Sequence, residues 1–252
     1  MNNLKVLYNQ ITKLDNLRPS EKTNKLFTKL VSFAVGQKKN SLTNKELSNL
    51  QKICSDAEYQ LEKFWAEKII KSAGPAAVLN KFPYNTNYKK LTQLEWLSLL
   101  GCTKHTEHKI LFIGGGPLPM TAIFLAVDHN QKVAILEKEE EAYEISKKLV
   151  RSLGLANKIK ILNEDASEFR QYGKYNCFFV AALAGLEREV KHTIISEIQK
   201  QAPKNSHILA RSSWGSRELL YKPLQIKNRQ LKTIIEVRPH NDVVNSFYIF
   251  HV

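Results

Sequence analysis

The sequence predicts an α/β protein in which an N-terminal helical bundle caps a Rossmann-like, doubly wound sheet. Apolar residues recur at helical spacing through residues 1–105, whereas short apolar runs alternate with amphipathic segments from residue 109 onward. A turn with three consecutive glycines follows the first of these runs. We therefore expect two domains, a helical bundle over residues 1–105 and a sheet domain over residues 106–252.

Four helices are predicted in the first domain. Thr43 to Glu46 has the sequence of a capping box, which opens the third helix, and a Phe-Pro-Tyr loop precedes the fourth. The apolar stripes that define these helices lie at 4–14, 26–34, 47–68 (ending near Gly74) and 91–100.

Five apolar runs in the second domain predict parallel strands joined by helices. Two further runs at the end, 231–237 and 246–252, have no helix between them, which predicts an antiparallel pair at the sheet edge. The predicted strands are 110–113, 133–136, 159–162, 175–181 and 208–211, and the predicted helices lie near 118–129, 139–153, 167–171 and 187–201.

The distribution of charge limits the kinds of binding partner that the sequence favours. The chain has 38 basic and 24 acidic residues, and residues 1–108 hold 17 and 9 of them, so the net charge of +14 is not focused on one segment. An evenly basic surface does not favour a nucleic-acid partner.

The N-terminus lacks the apolar core of a signal peptide, and the longest apolar run is too short to span a membrane. We expect a cytoplasmic protein without a membrane partner.

The cysteines and histidines predict neither disulfides nor a metal site. Cys54, Cys102 and Cys177 lie far apart without a CxxC pair, and the seven histidines lack metal-ligand spacing. This cysteine usage is typical of a reducing compartment. We therefore expect no metal requirement.

The glycine turn, Gly114 to Pro119, is typical of a nucleoside site when its neighbours are considered. Glu137 ends the next predicted strand, where an acidic side chain accepts hydrogen bonds from ribose hydroxyls. Asp165 and Ala166 follow the third strand, where they could meet an adenine. A glycine turn alone is a weak signal, but with Glu137 it favours nucleoside binding over a purely structural turn.

The details of this turn favour S-adenosylmethionine (SAM) over a dinucleotide. The turn lacks GxGxxG spacing, and Pro117 and Pro119 stand where a pyrophosphate would need N–H donors. Methyl transfer is the common SAM chemistry, yet the fourth strand ends in small apolar residues instead of the polar tetrad of many nucleic-acid aminomethyltransferases. O-methylation and other SAM chemistries need no such tetrad, so they remain open.

Two further segments carry polar groups of interest. Glu58 shares a helix face with Cys54, Leu61 and Trp65, where desolvation would raise the pKa of its carboxyl and suit it to take a proton from an amine. The residues alone favour the alternative that Glu58 lies at the edge of the apolar stripe and pairs with surface groups. The loop 82–88 either supplies polar groups to a pocket or packs as a plug.

Five patterns in register resemble the nicotianamine synthase family, which includes plant and archaeal enzymes and the bacterial aminobutanoyltransferases that build opine-type metallophores. The run Gly-Pro-Leu-Pro in the glycine turn is unusual among SAM-binding folds. The matching segments are Cys54-x-x-Ala57-Glu58-x-x-Leu61-Glu62, Phe82-Pro83-Tyr84-x-x-Asn87-Tyr88, Gly114-Gly115-Gly116-Pro117-Leu118-Pro119-Met120-Thr121, Ala181-Ala182-Leu183-Ala184-Gly185, and Arg211-Ser212-x-x-Gly215-x-Arg217-x-x-Leu220-Tyr221.

This resemblance implies transfer of the 3-amino-3-carboxypropyl group of SAM to an amine of a small amino-acid acceptor, with release of 5′-methylthioadenosine. It implies that Glu58 and Tyr84 are the catalytic pair, which reverses the interpretation of Glu58 drawn from the residues alone. Arg211 or Arg217 is expected to hold an acceptor carboxylate, or else to pair with an acidic helix end. The candidate substrate-binding residues are thus Asn87, Tyr88, Arg211 and Arg217, and the candidate SAM-binding residues are Gly114, Gly115, Gly116, Pro117, Leu118, Pro119, Glu137, Asp165, Ala166 and Ala182.

The sequence departs from the family pattern at two positions. Asn85 replaces a frequent second tyrosine after Phe-Pro-Tyr, and Trp214 replaces a histidine often found in the last motif. Both changes could alter the acceptor pocket, so the identity of the acceptor stays open. The oligomeric state also stays open, and a homodimer is one possibility. Two other functions stay open, a SAM-dependent methyltransferase acting on RNA or a small molecule and a non-catalytic nucleotide- or RNA-binding module.

Overall fold

A computed structural model describes residues 3–36, 39–185, 188–225 and 231–252. Within these ranges the chain forms eight α-helices and seven strands in one sheet. The helices are α1 Asn3–Ile11, α2 Glu21–Val35, α3 Asn44–Ile70, α4 Pro75–Leu79, α5 Asn85–Cys102, α6 Met120–Val127, α7 Glu140–Ser152 and α8 Arg188–Gln201. The strands are β1 Ile110–Ile113, β2 Val133–Leu136, β3 Ile159–Leu162, β4 Cys177–Val180, β5 His207–Ser212, β6 Lys232–Val237 and β7 Ser246–His251.

The sheet confirms the predicted α/β fold class. Its strand order is β3-β2-β1-β4-β5-β7-β6, with the first five strands parallel. β7 pairs antiparallel with both β5 and β6, which confirms the antiparallel pair at the edge. Strand order reverses between β1 and β4, and the crevice beyond the carboxyl ends of two such strands is where parallel α/β sheets bind ligands.

Helix α3 connects the two hydrophobic cores of the protein. Thr43 and Glu46 form the predicted capping box at its start, with the Thr43 N–H donating to Glu46 Oε2 at 3.0 Å. Leu50, early in α3, belongs to the core that α1 and α2 form, whereas Ile69, near its end, belongs to the core beneath the sheet. The middle of α3, which carries Glu58, therefore lies where the two cores meet.

The two cores do not follow the predicted boundary in the chain. The core of α1 and α2 also contains Leu219, Leu220 and Val244 from the C-terminal part, and the sheet core contains Trp96 from α5. A division into domains at residue 105 therefore stays a prediction.

Some of the predicted local structure is wrong. Residues 167–171 are not helical, because Asp165 Oδ1 accepts hydrogen bonds from the Ser167 N–H (2.8 Å) and hydroxyl (2.7 Å), and this closes a turn instead. Apolar spacing does not predict the short helix α4, which begins with Pro75 in its first turn. The predicted start of the last helix, residue 187, lies outside the described residues. No helix in the described ranges has the length and apolar character needed to cross a membrane.

Candidate active site

A cavity of about 490 Å³ lies beyond the carboxyl ends of β1 and β4, at the reversal of strand order. Helix α3 contributes Ser55, Glu58, Tyr59 and Glu62 to its lining. Its walls are the glycine turn, the ends of β2 to β4, and side chains from α3, α5 and β5. Every residue that the sequence assigned to SAM lines it, namely Gly114, Gly115, Gly116, Pro117, Leu118, Pro119, Glu137, Asp165, Ala166 and Ala182.

Glu137 holds the glycine turn in place. Its Oε2 accepts a hydrogen bond from the Gly116 N–H at 2.7 Å, and its Oε1 accepts one from the Glu139 N–H at 3.0 Å. Gly114 (φ +83°) and Gly116 (φ +65°) have left-handed backbone conformations that favour glycine. Burial raises the pKa of Glu137, and the backbone hydrogen bonds oppose that rise. Because a carboxylate has about four acceptor positions, Glu137 retains capacity for a ligand hydroxyl.

Glu58 is a half-buried carboxyl with two tyrosine donors. Its Oε1 accepts a hydrogen bond from the Tyr88 hydroxyl at 3.1 Å, and its Oε2 accepts one from the Tyr221 hydroxyl at 2.8 Å. Burial raises the pKa of Glu58, while the two hydroxyls and the Arg211 cation limit that rise. The side chain is thus held in one orientation and is more basic than an exposed glutamate.

A second cavity, of about 190 Å³, lies between α2, α3 and the start of α5. Four residues line both cavities, namely Glu58, Tyr88, Tyr221 and Asn245. Glu58 therefore stands in the wall between two chambers. Apart from Glu58, no charged side chain of the described residues lines the second cavity, whose other lining residues are Leu17, Pro19, Thr23, Asn24, Phe27, Thr28, Val31, Cys54, Ala57, Leu61, Pro83, Tyr84, Asn87, Leu220 and Val244.

Tyr84 and Asn87 face the second cavity from the start of α5. The Tyr84 ring packs edge-on against Phe82, and burial together with the Glu58 carboxylate raises the pKa of Tyr84 to about 12. Asn87 donates from Nδ2 to the Asp242 carbonyl at 2.6 Å. The structure thus brings the expected pair, Glu58 and Tyr84, to one chamber, although the hydroxyls bonded to Glu58 belong to other tyrosines.

The two candidate arginines have different environments. Arg211 lines the first cavity but uses Nε and Nη2 to bind both oxygens of buried Glu95, at 2.6 and 2.8 Å. Arg217 lines neither cavity; its fully buried guanidinium donates to the carbonyls of Asn241 (2.7 Å) and Val243 (3.3 Å). Of the two, only Arg211 is placed where it can meet a substrate.

Two residues that the structure places at this site have no role predicted from the sequence. Glu62 lies one helical turn after Glu58, so its position on the same face of α3 was available from spacing alone. Tyr221 is 163 residues from Glu58, and no local pattern connects the two.

The first cavity is acidic although the whole protein has a net charge of +14. This concentration of carboxyl groups suits a ligand that carries positive charge. Among the described residues, no group of three or more histidine, cysteine or acidic side chains is arranged to hold a metal ion. The lining includes the acidic residues Glu58, Glu62, Glu137, Glu139, Glu164 and Asp165 and the basic residues Lys138 and Arg211.

Fold and site together define an α/β protein with a nucleoside-type cleft capped by helices. The model of the family described as "Nicotianamine synthase protein" matches residues 1–251. Nicotianamine synthase 1 of Arabidopsis thaliana is 33% identical over 260 residues, covering 96% of this chain and 81% of that protein. Nicotianamine synthase of Solanum lycopersicum is 30% identical over 254 residues, covering 96% and 80%. This chain belongs to the nicotianamine synthase family, a family of enzymes, which confirms the resemblance.

Solved structures confirm the fold. MtNAS in complex with MTA and tNA superposes with a TM-score of 0.85 at 22% identity, covering 99% of this chain and 97% of that chain. A mutant of MtNAS in complex with S-adenosylmethionine superposes with a TM-score of 0.84 at 22% identity, covering 98% of this chain and 96% of that chain.

The contact between the glycine turn and Glu62 can be tested with two matched glycines. A Cβ at Gly116 would lie 2.7 Å from Glu62 Oε2, whereas a Cβ at Gly154 (φ +71°) would meet nothing within 4 Å. Both Gly→Ala variants should lose about 1–2 kcal/mol from the left-handed backbone. We expect Gly116→Ala to lose about 1 kcal/mol more in urea unfolding, because Glu62 must move. Equal losses would contradict this expectation and show that the Glu62 carboxyl moves aside at little cost.

Proposed function

We propose that this enzyme transfers the 3-amino-3-carboxypropyl group of SAM to the amine of an amino-acid acceptor and releases 5′-methylthioadenosine. The observation that carries this proposal is the position of Glu58 in the wall between two cavities. One carboxylate can then contact an amine from one chamber and face the donor in the other. Membership of the nicotianamine synthase family supports the same reaction.

Several features of the first cavity support SAM as its ligand. The acidic lining suits the positive sulfonium, and Glu137 retains acceptor capacity for ribose hydroxyls. Asp165 and Ala166 line the same cavity, in the position proposed for the adenine. A mutant of MtNAS, which shares this fold, is described in complex with S-adenosylmethionine.

We assign the second cavity to the acceptor. Its lining is largely apolar with scattered hydroxyl and amide groups, which suits a small molecule whose reacting amine points at Glu58. Tyr84 and Asn87 are placed to orient that amine, while Tyr88 and Tyr221 hold the Glu58 carboxylate. Arg211 is the residue proposed to meet a carboxylate in the first cavity; Arg217 supports the loop behind the site.

The chemistry is a displacement at carbon. SAM supplies the electrophilic γ-carbon and a neutral thioether leaving group. Glu58 removes a proton from the acceptor ammonium, and the freed nitrogen lone pair forms the N–C bond while the C–S pair stays on sulfur. The protein contributes orientation and a base whose pKa desolvation raises.

The identity of the acceptor defines the product. We propose an amino-acid acceptor and a metallophore product of the nicotianamine or opine type. We also propose that the protein works in a reducing compartment such as the cytoplasm. The three free cysteines, Cys54, Cys102 and Cys177, are typical of such a compartment.

The carbon of SAM that is attacked distinguishes the candidate functions. Purified protein, SAM and a mixture of amino acids including D- and L-histidine should yield 5′-methylthioadenosine together with an adduct heavier than its acceptor by one aminobutanoyl unit. Mass spectrometry of the quenched mixture measures both. A sample without enzyme corrects for the spontaneous breakdown of SAM. Accumulation of S-adenosylhomocysteine would instead establish a methyltransferase, and binding of SAM without turnover would favour a binding module.

Filling each cavity separately tests the assignment of the two substrates. Val31 lines only the second cavity, and Ala182 lines only the first. Because a tryptophan takes up space that its ligand needs, Val31→Trp should retain SAM affinity in calorimetry and lose about tenfold or more in turnover. Ala182→Trp should lose SAM binding itself. Loss of SAM affinity in Val31→Trp with normal binding in Ala182→Trp would reverse the assignment.

A further inference from the structure

The side chain of Asn245 carries a hydrogen-bond donor that the fold leaves without a partner. Asn245 is 7% exposed and lines both cavities, and its buried Nδ2 meets no acceptor among the described residues. A buried donor without a partner destabilises a folded protein, so such a group in a cavity wall indicates a ligand. The amide turns easily about its Cβ–Cγ bond, which lets Nδ2 meet a ligand in the chamber beside it.

The segment that carries Asn245 is held from both sides. Before it, the buried guanidinium of Arg217 donates to the carbonyls of Asn241 and Val243. After it, β7 begins at the next residue and pairs with β5. The backbone therefore sets the unpaired amide at a defined place in the wall.

Asn245 differs from the other residues that line both cavities. The hydroxyls of Tyr88 and Tyr221 are already bonded to the Glu58 carboxylate, at 3.1 and 2.8 Å. Glu58 is an acceptor of hydrogen bonds in its basic form. A ligand oxygen that reaches this wall therefore finds its unused donor in Asn245.

An α-amino acid that presents its amine to Glu58 brings its carboxylate to the same wall. Its bond lengths place the carboxylate oxygens about 3 Å from the nitrogen. A carboxylate that leaves water needs hydrogen-bond donors in exchange. Among the described residues that line the second cavity, the one charged side chain is Glu58, so the donor has to be a neutral group. The first cavity, in contrast, contains Lys138 and Arg211, which suit the carboxylate of SAM.

We propose that the amide of Asn245 binds the α-carboxylate of the acceptor and so selects α-amino acids over amines that lack this group. This inference rests on the proposed function. Nδ2 donates to a carboxylate oxygen while Glu58 receives the ammonium proton. Two contacts on neighbouring atoms of the acceptor fix the direction of the nitrogen lone pair towards the γ-carbon of SAM.

Two acceptor mixtures test this role in the wild type and in Asn245→Ala. One contains the standard L-amino acids with D-histidine, and the other contains the amines that these amino acids give on loss of the α-carboxylate. The initial rate of methylthioadenosine release, corrected with a sample without acceptor, should be at least about tenfold higher in the wild type with amino acids. Asn245→Ala should lower that rate about tenfold or more with the amino acids and change it within about twofold with the amines. Its SAM affinity in calorimetry should stay within about twofold of the wild type.

A second variant keeps the shape of the side chain. Asn245→Asp replaces the donor with a negative charge, so it should be slower than Asn245→Ala with the amino acids, because like charges repel. Asn40→Asp is the matched control. Asn40 is exposed, lines neither cavity and accepts from the Leu42 N–H through Oδ1, an atom that aspartate retains, so this variant should behave like the wild type.

Four results would overturn the role of Asn245. They are equal rates of the wild type with both mixtures, an equal loss in Asn245→Ala with both mixtures, an Asn245→Asp variant at least as fast as Asn245→Ala, and a clearly weaker SAM affinity in Asn245→Ala. A weaker SAM affinity would place the contact on the donor instead. Failure of the proposed function is distinct, because wild-type protein would then form no methylthioadenosine with either mixture.

Discussion

The structure of the site depends on the partial burial of one carboxylate, that of Glu58, between two cavities. A buried carboxylate is tolerated only where hydrogen-bond donors replace the water that it has lost. Tyr88 from α5 and Tyr221 from the segment after β5 supply those donors, at 3.1 and 2.8 Å. Three distant parts of the chain must therefore fold together before this arrangement of side chains exists, which explains why the site lies where the two hydrophobic cores meet.

A second buried interaction sets the position of that arrangement. Arg211 of β5 forms a bidentate pair with Glu95 of α5, and its Nη2 also donates to the Thr121 hydroxyl of α6 at 2.5 Å. Glu95 lies seven residues after Tyr88, two helical turns along the same face. Loss of one partner of such a pair leaves an uncompensated buried charge and costs about 3–5 kcal/mol. This ion pair thus fixes α5 against the sheet and with it the hydroxyl that binds Glu58.

The sequence predicted those features that depend on local patterns. The strands β1 to β3 and the glycine turn followed from apolar periodicity and from glycine at two left-handed positions. The turn after β3 was misjudged, because the hydrogen bonds of Asp165 to Ser167 compete with a helix and leave no periodic signal. The donors to Glu58 could not be predicted from spacing, since Tyr221 reaches it only through the tertiary fold. Periodicity alone favoured a surface role for Glu58, and the family resemblance reversed that interpretation.

The proposed function therefore depends on Glu58 as a base that acts on the acceptor without being needed to hold the donor. The most direct measurement compares Glu58→Gln with wild-type protein in two assays, calorimetric titration with SAM and formation of methylthioadenosine with an accepted amino acid. Glutamine keeps the shape of the side chain but removes the base, so we expect SAM affinity within about twofold of wild type and turnover lower by about a hundredfold or more. Near-normal turnover by the folded variant would contradict the proposed function, because this carboxylate would then have only a structural role.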